Sequence, residues 1–126
     1  MVNTPPVYPV WVLSLVLQWL NSIGGVDAVE ALNRKKATSL YQAIDDSSLY
    51  YNPVALDCRS LMNIPFVLSD SGLDGKFVEQ TIKEGLLNLK GHRSVGGMRA
   101  SLYNAITQTE VDTLISFMRE FERTAA

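Results

Sequence analysis

Residues 60–85, SLMNIPFVLSDSGLDGKFVEQTIKEG, contain a strand pattern followed directly by a helix pattern. The first part, Ser60 to Leu68, is short, apolar and aromatic, which predicts a β-strand. Pro65 cannot donate to a strand ladder, so we expect this strand to lie at a sheet edge or to be bulged there. Ser71 and Asp74 then resemble a capping box, which predicts the start of a helix, and the glycine at the end of the quoted stretch ends it.

Further strands and a last helix are predicted on both sides of this stretch. Short apolar runs predict strands at Leu49 to Pro53, Leu86 to Leu89 and Met98 to Tyr103. Thr107 and Glu110 resemble a second capping box, which opens the last helix. The apolar stripe of that helix consists of Val111, Leu114, Ile115, Met118 and Phe121.

Two helices are predicted before the first strand. Thr4 with Pro5-Pro6 predicts the N-cap and first turn of helix one, and Gly24-Gly25 predicts its end. Because helix one is apolar nearly all round, we expect it to be buried by a surface that these residues do not supply. Helix two, from Asp27 to Ile44, has an apolar face and a solvated face. The predicted apolar residues are Val29, Leu32, Leu40, Tyr41 and Ile44, and the predicted solvated ones are Glu30, Arg34, Lys35 and Lys36.

Helices grouped around short strands favour the α+β class, as a two-layer sandwich of helices on a small, mostly antiparallel sheet. A chain of 126 residues with 47% apolar residues is enough for one domain. The net charge of −2 excludes the basic excess that nucleic acid or an anionic membrane surface attracts.

The cysteine content and the apolar N-terminal run bear on the compartment. Cys58 is the single cysteine, so no internal disulfide or cysteine-based metal site is possible, and we interpret it as a buried bystander. The run from Val7 to Leu20 is shorter than a spanning helix, contains Ser14 and Gln18, and lacks a basic segment before it. We therefore expect a cytoplasmic protein.

The segment Gly91 to Arg99, GHRSVGGMR, is the candidate binding site. Its glycines allow close approach of the backbone to a ligand, and Arg93 and Arg99 can each bind a carboxylate or phosphate through two hydrogen bonds. His92 can add a further hydrogen bond. Two alternatives stay open on composition alone: a glycine-rich turn with solvated arginines, and a structural role for His92. The spacing matches neither a phosphate-binding Walker loop nor a dinucleotide-binding motif.

Four segments in order along the chain resemble the C-terminal part of the phosphoserine aminotransferase family, a group of fold type I, class V pyridoxal-phosphate enzymes. They are Asn3 to Pro6, Met62 to Phe66, Gly91 to Ala105 and Phe117 to Arg123. The resemblance extends over essentially the whole chain, and its long third segment is highly specific.

The resemblance implies an aminotransferase of serine biosynthesis, a homodimer that converts 3-phosphohydroxypyruvate and glutamate to O-phosphoserine and 2-oxoglutarate. Arg99 would then bind the substrate α-carboxylate, and His92 and Arg93 would face the phosphate or the glutamate side-chain carboxylate. Asn3 and Thr4 would contact the phosphate of pyridoxal 5'-phosphate in the neighbouring subunit. No catalytic residue and no metal ligand is predicted within the chain.

The resemblance also implies that the chain is a fragment. Residues 1–126 would form the C-terminal small domain, with residues 1–25 as a linking helix packed on a large domain that is absent. None of the lysines matches the family's cofactor-binding motif, so the isolated chain is expected to be inactive; they are Lys35, Lys36, Lys76, Lys83 and Lys90. The alternative is a stand-alone dimerisation or anion-binding module without catalytic activity.

Overall fold

A computed structural model describes residues 3–125. They contain four α-helices and three β-strands, in the order α1 Val7–Ser22, α2 Gly25–Asp45, β1 Tyr50–Tyr51, β2 Asn63–Leu68, α3 Asp74–Lys83, β3 Met98–Ser101 and α4 Gln108–Ala125. Short 3-10 turns lie at Leu56–Cys58 and Ser71–Leu73. The chain divides into two compact units between Leu32 and Asn33, so helix α2 begins in the first unit and ends in the second.

Helix α1 dominates the first unit and has no buried residue. It begins where the paired prolines predict, but Pro6 occupies the N-cap position and no side chain caps the helix, so the predicted Thr4 cap is wrong. The backbone N–H of Val7 instead donates to the carbonyl of Pro5. Gly24 and Gly25 both have positive φ, which confirms the predicted helix end.

The second unit contains an antiparallel sheet in the order β1-β2-β3, which confirms the predicted α+β architecture. Strand β2 is therefore central, and the expectation that Pro65 marks an edge strand is wrong. Pro65 lies opposite Arg99, whose N–H points away from β2 to the carbonyl of Leu89. The nitrogen of Pro65 therefore faces the β1 side of the sheet, where β1 has already ended after the pairing of Tyr51 with Val67. No strand needs a hydrogen bond from this position, so a proline is tolerated in the central strand.

Residues 86–89 do not form the predicted strand. Helix α3 ends in a Schellman motif in which the N–H of Leu86 donates to the carbonyl of Thr81 and Gly85 has φ 77°. Leu86, the first residue of the predicted strand, is therefore part of the helix end. Between residues 86 and 90, Lys90 is the residue that forms a β-bridge, and its partner is Met98.

Helices α2, α3 and α4 contribute to one hydrophobic core with the inner face of the sheet. Along β2 and β3 the side chains alternate, so Ile64, Phe66, Met98 and Ala100 are buried. Phe77 of α3 is central to an aromatic cluster, with ring centroids 5.0 to 5.9 Å from its four aromatic neighbours, Tyr50, Phe66, Phe117 and Phe121. All five residues of the predicted α4 stripe are buried, which confirms that prediction.

One of the two predicted capping boxes is present. The Thr107 N–H donates to Glu110 Oε2 at 2.7 Å and the Glu110 N–H donates to Thr107 Oγ1 at 3.3 Å, which opens α4. The box at Ser71 is wrong, because Asp70 accepts the N–H of Gly72 and a 3-10 turn precedes α3.

Three side chains have an exposure that differs from the prediction: Lys36 and Leu32 on α2, and Cys58 after β1. Lys36 is only 3% exposed although its charge placed it on the solvated face, and Leu32 is 52% exposed although it was assigned to the apolar face. Cys58, predicted to be buried, is exposed.

Among residues 3–125 no single helix is long and apolar enough to cross a membrane; α1 and α2 taken together, as a bent pair, satisfy the length and composition test.

Candidate functional site

The candidate anion site is a loop of residues 91–97 that connects Lys90 to strand β3. The N–H of Gly91 donates to the carbonyl of Gly97 at 2.8 Å, which closes the loop at its base. At its tip, the carbonyl of His92 accepts the N–H groups of Val95 and Gly96 at 2.9 and 2.8 Å. The loop is therefore held by its own backbone hydrogen bonds.

Two glycines of this loop are required by its geometry. A Cβ atom on Gly91 would overlap the carbonyl oxygen of Gly96. Gly97 has φ 61°, and a Cβ atom there would lie 2.5 Å from Val67 Cγ1 of the neighbouring strand. The glycines were predicted to let the backbone approach a ligand, which stays a prediction; the contacts seen at Gly91 and Gly97 are within the loop and with β2.

His92 is exposed on the loop, and its ring contacts Ser94. The Nδ1 atom lies 2.7 Å from Ser94 Oγ and accepts the Ser94 backbone N–H at 3.2 Å. The other ring nitrogen, Nε2, has no hydrogen-bond partner among residues 3–125. One side of the imidazole is therefore fixed by the loop and the other is available to a ligand.

Arg93 and Arg99 lie on the same hairpin, and both are exposed. Arg93 is part of the turn at the loop tip, whereas Arg99 is on β3 between the buried residues Met98 and Ala100 and so projects from the outer face of the sheet. Within residues 3–125 neither guanidinium makes a hydrogen bond or an ion pair. Two unpaired, permanently charged groups on one hairpin are chemically suited to bind an anion, which makes this hairpin the candidate site.

Arg99 also lines a cleft of about 630 Å³ between residues 84–89 and the start of α4. Its lining combines apolar side chains with the polar side chains of Glu84, Tyr103 and Glu110. The cleft that Arg99 borders is therefore of mixed polarity.

Asn3 and Thr4 belong to the first unit and precede α1, where both are exposed. Their side chains, an amide and a hydroxyl, make no hydrogen bond within the described residues. Both groups can donate to a phosphate oxygen, so these two residues fit the phosphate end of pyridoxal phosphate.

Two of the lysines, Lys36 and Lys83, are engaged by protein groups and are not free for the aldehyde carbon at the other end of that cofactor. Lys36 is buried, but its Nζ donates to the carbonyls of Tyr103 and Ile106 at 3.0 and 2.8 Å. Burial lowers the pKa of Lys36, and the nearby Glu110 carboxylate partly opposes that shift. Lys83 forms an ion pair with Glu79 on the surface. Within residues 3–125 no group of three or more His, Cys, Asp or Glu side chains is arranged to hold a metal ion.

Lys36 and Asn33 hold the turn after β3 in place, and the sequence interpretation missed both contacts. Asn33 Nδ2 donates to Asn104 Oδ1 at 2.8 Å, and with Lys36 it fixes the turn between β3 and α4. Lys36 lies seven residues after Val29 and four before Leu40, so helical periodicity alone would have placed it on the apolar face. That spacing was the available signal.

Residues 1–114 match the sequence model of a protein family, aminotransferase class-V. Because this match extends over most of the chain, the chain belongs to the class-V aminotransferases. It is 57% identical over 121 residues to the phosphoserine aminotransferase of Hahella chejuensis, an alignment that covers 96% of this chain and 34% of that protein.

Solved structures agree with this similarity. The phosphoserine aminotransferase from Bacillus circulans subsp. alkalophilus superposes with a TM-score of 0.95 at 44% identity, over 98% of this chain and 35% of that one. The phosphoserine aminotransferase from Trichomonas vaginalis, a structure with bound pyridoxal phosphate, superposes with a TM-score of 0.88 at 40% identity, over 94% and 34%. The chain thus spans about a third of the length of the relatives that it matches.

Proposed function

We propose that the chain is the C-terminal domain of a pyridoxal-phosphate-dependent aminotransferase that converts 3-phosphohydroxypyruvate and glutamate to O-phosphoserine and 2-oxoglutarate. The similarity to phosphoserine aminotransferases along the whole chain supports this proposal. The observation that carries it is the pair of unpaired arginines on the hairpin of residues 90–101. Both amino-acid substrates carry an α-carboxylate and a second anionic group, which such a hairpin suits.

Each cation has a separate role in this proposal. Arg99 binds the α-carboxylate that phosphoserine and glutamate share, because its planar guanidinium offers two parallel donors. Arg93 and His92 bind the second anion, which is a phosphate in one substrate and a carboxylate in the other. The loop hydrogen bonds support this role, because a loop that is already ordered loses less entropy when a ligand binds.

The cofactor belongs to the complete protein. Asn3 and Thr4 would donate to the phosphate of pyridoxal 5'-phosphate in the neighbouring subunit of a homodimer. Pyridoxal phosphate supplies the electron sink that makes amino-group transfer possible. Because none of the lysines of this chain matches the family's cofactor-binding motif, the covalent link would come from the large domain, and the chain alone would be inactive.

Residues 1–25 act in this proposal as a linking helix that packs on the large domain, with residues 1–126 as one C-terminal small domain in a cytoplasmic enzyme. The absence of any buried residue in α1 supports such a covering surface. A stand-alone dimerisation or anion-binding module is not favoured by the comparisons, since the relatives are enzymes about three times as long.

Substitution of the two arginines in the complete protein tests the proposed roles. Arg99→Lys should lower kcat/KM roughly ten- to hundredfold with phosphoserine and with glutamate alike, since a lysine point charge does not reproduce a bidentate contact. Arg93→Ala should lower kcat/KM more for phosphoserine, whose phosphate carries close to two charges. Steady-state kinetics with both substrates measure these effects.

Arg119→Lys, at an exposed position on α4, is the matched control and should leave both substrates unaffected. A silent Arg99→Lys together with an Arg93→Ala variant that affects both substrates equally would reverse the assigned roles. If all three variants retained normal activity, the hairpin would not be the substrate site.

A further inference from the structure

The contact between His92 and Ser94 determines which ring nitrogen of His92 carries a proton. A backbone N–H can only donate a hydrogen bond, and the Ser94 N–H points at His92 Nδ1 at 3.2 Å. The Nδ1 atom must therefore offer its lone pair. The Ser94 hydroxyl, 2.7 Å from the same atom, can donate to that lone pair as well.

We propose that Ser94 is a positioning residue that holds neutral His92 as the tautomer protonated on Nε2 and directs that N–H outward as a donor to an anion. The identity of this anion, the second anionic group of the substrate, rests on the proposed function. The choice of tautomer does not, because it follows from contacts within the loop.

The opposite tautomer conflicts with the loop geometry. A proton on Nδ1 could be donated to Ser94 Oγ, but it would then face the backbone N–H of the same serine. That N–H cannot turn away, because the turn is fixed by the hydrogen bonds of Val95 and Gly96 to the His92 carbonyl. Two donors at one side of the ring also fix its orientation, so the free Nε2 faces away from the loop.

In this arrangement, different side chains of the hairpin supply charge and direction. Arg93 and Arg99 supply permanent positive charge, and each guanidinium orients an anion only relative to its own plane. His92 supplies one directional N–H whose position is set by a serine that does not itself need to touch the ligand. Ser94 therefore tunes binding through His92.

Nitrogen NMR of the 126-residue chain tests the tautomer directly, because His92 is its only histidine. In a chain labelled with ¹⁵N-histidine, at a pH where the imidazole is neutral, Nδ1 should give a pyridine-type signal and Nε2 a pyrrole-type signal. Ser94→Ala, which removes the hydroxyl and keeps the N–H, should raise the population of the other tautomer by roughly two- to tenfold. Ser94→Thr should restore the original signals.

Ser116→Ala, which removes an exposed serine hydroxyl on α4, is the matched control and should not change the ring signals. A pyrrole-type Nδ1 in the unsubstituted chain, or an unchanged tautomer ratio in Ser94→Ala, would overturn the proposal.

Kinetics of the complete protein test the ligand half of the proposal. Ser94→Ala should lower kcat/KM for phosphoserine by roughly two- to tenfold, and Ser94→Thr should recover most of that loss. Normal kinetics of Ser94→Ala would show that His92 Nε2 does not bind the substrate, even if the Arg99→Lys variant behaved as proposed. If the arginine variants kept normal kcat/KM, the proposed function would be contradicted, but the tautomer measured by NMR would still stand.

Discussion

Helices α1 and α4 are of similar length but differ in how their apolar residues are used. The 16 residues of α1 are apolar nearly all round, and none of them is buried. The 18 residues of α4 alternate between polar and apolar at helical spacing, and their apolar stripe is buried. The second pattern is satisfied among the described residues, whereas the first leaves its apolar residues without burial there.

Polar contacts show the same contrast. Glu122 of α4 accepts four hydrogen bonds at Oε1, from the hydroxyls of Ser47 and Ser48 and from the N–H groups of Ser48 and Leu49. The side-chain hydrogen bonds of α1 are local, from Gln18 to Ser14 and from Ser22 to the carbonyl of Trp19. Helix α4 is therefore tied to distant parts of its unit, and α1 is stabilised by its own turn-to-turn contacts.

The same substitution in both helices gives the largest expected difference. Leu114 of α4 is 5% exposed and Leu15 of α1 is 45% exposed. Leu114→Ala should lower the free energy of unfolding by roughly 2–5 kcal/mol, because it removes buried methyl groups and leaves a cavity. Leu15→Ala should change it by less than about 0.5 kcal/mol in the isolated chain. Urea unfolding measures both, and equal losses would show that α1 is covered within the chain.

Removal of the buried lysine tests how firmly the turn before α4 is held. Lys36→Met should lower the free energy of unfolding by about 1–3 kcal/mol, because the carbonyls of Tyr103 and Ile106 lose their donor. Lys35→Met, one position along the same helix and exposed, is the control and should be close to neutral. A stabilised Lys36→Met variant in thermal unfolding would mean that the desolvation cost of the charge exceeds the value of its hydrogen bonds.

Acidification should weaken the tie between α4 and the turn after α2. Burial alone would raise the pKa of Glu122, but the hydrogen bonds from Ser47, Ser48 and Leu49 outweigh it, so the pKa lies below its ordinary value of 4.5. A carboxyl with a lowered folded-state pKa stabilises the fold above its unfolded-state pKa, and this contribution is lost as the pH falls through the folded-state value.

Glu122→Gln should therefore cost about 1 kcal/mol at neutral pH and flatten the loss of stability below pH 4.5. Urea midpoints between neutral and acidic pH measure this. Glu120→Gln is the control, because Glu120 pairs only with Arg123 in solvent. If the two variants had the same acid dependence, the hydrogen bonds to Glu122 would not contribute to stability.

Several features of the fold could be predicted from local patterns. The box of Thr107 and Glu110 and the α4 stripe are correct because both depend on residues within one helix. The box at Ser71 failed for a local reason, since the preceding Asp70 accepts the N–H that the box would have used. Neighbouring side chains that compete for one donor cannot be ranked from spacing alone.

The candidate site was predicted by residue type and resemblance rather than by geometry. The described residues place His92, Arg93 and Arg99 on one hairpin and leave both arginines unpaired. The role of Ser94 was not predicted, because a serine in a glycine-rich loop gives no signal until its hydroxyl and N–H are seen beside the ring.

Sequence patterns alone were enough for the four helices, the capping box of Thr107 and the apolar stripe of α4, because each depends on neighbouring residues. The packed structure was needed to show that β2 is the central strand and which carbonyls the Lys36 ammonium group reaches. Those outcomes depend on partners distant along the chain, such as the end of β1 beside Pro65 and the carbonyls after β3. Helical and strand periodicity report which face a residue occupies, whereas the partner on that face is set only when the elements pack together.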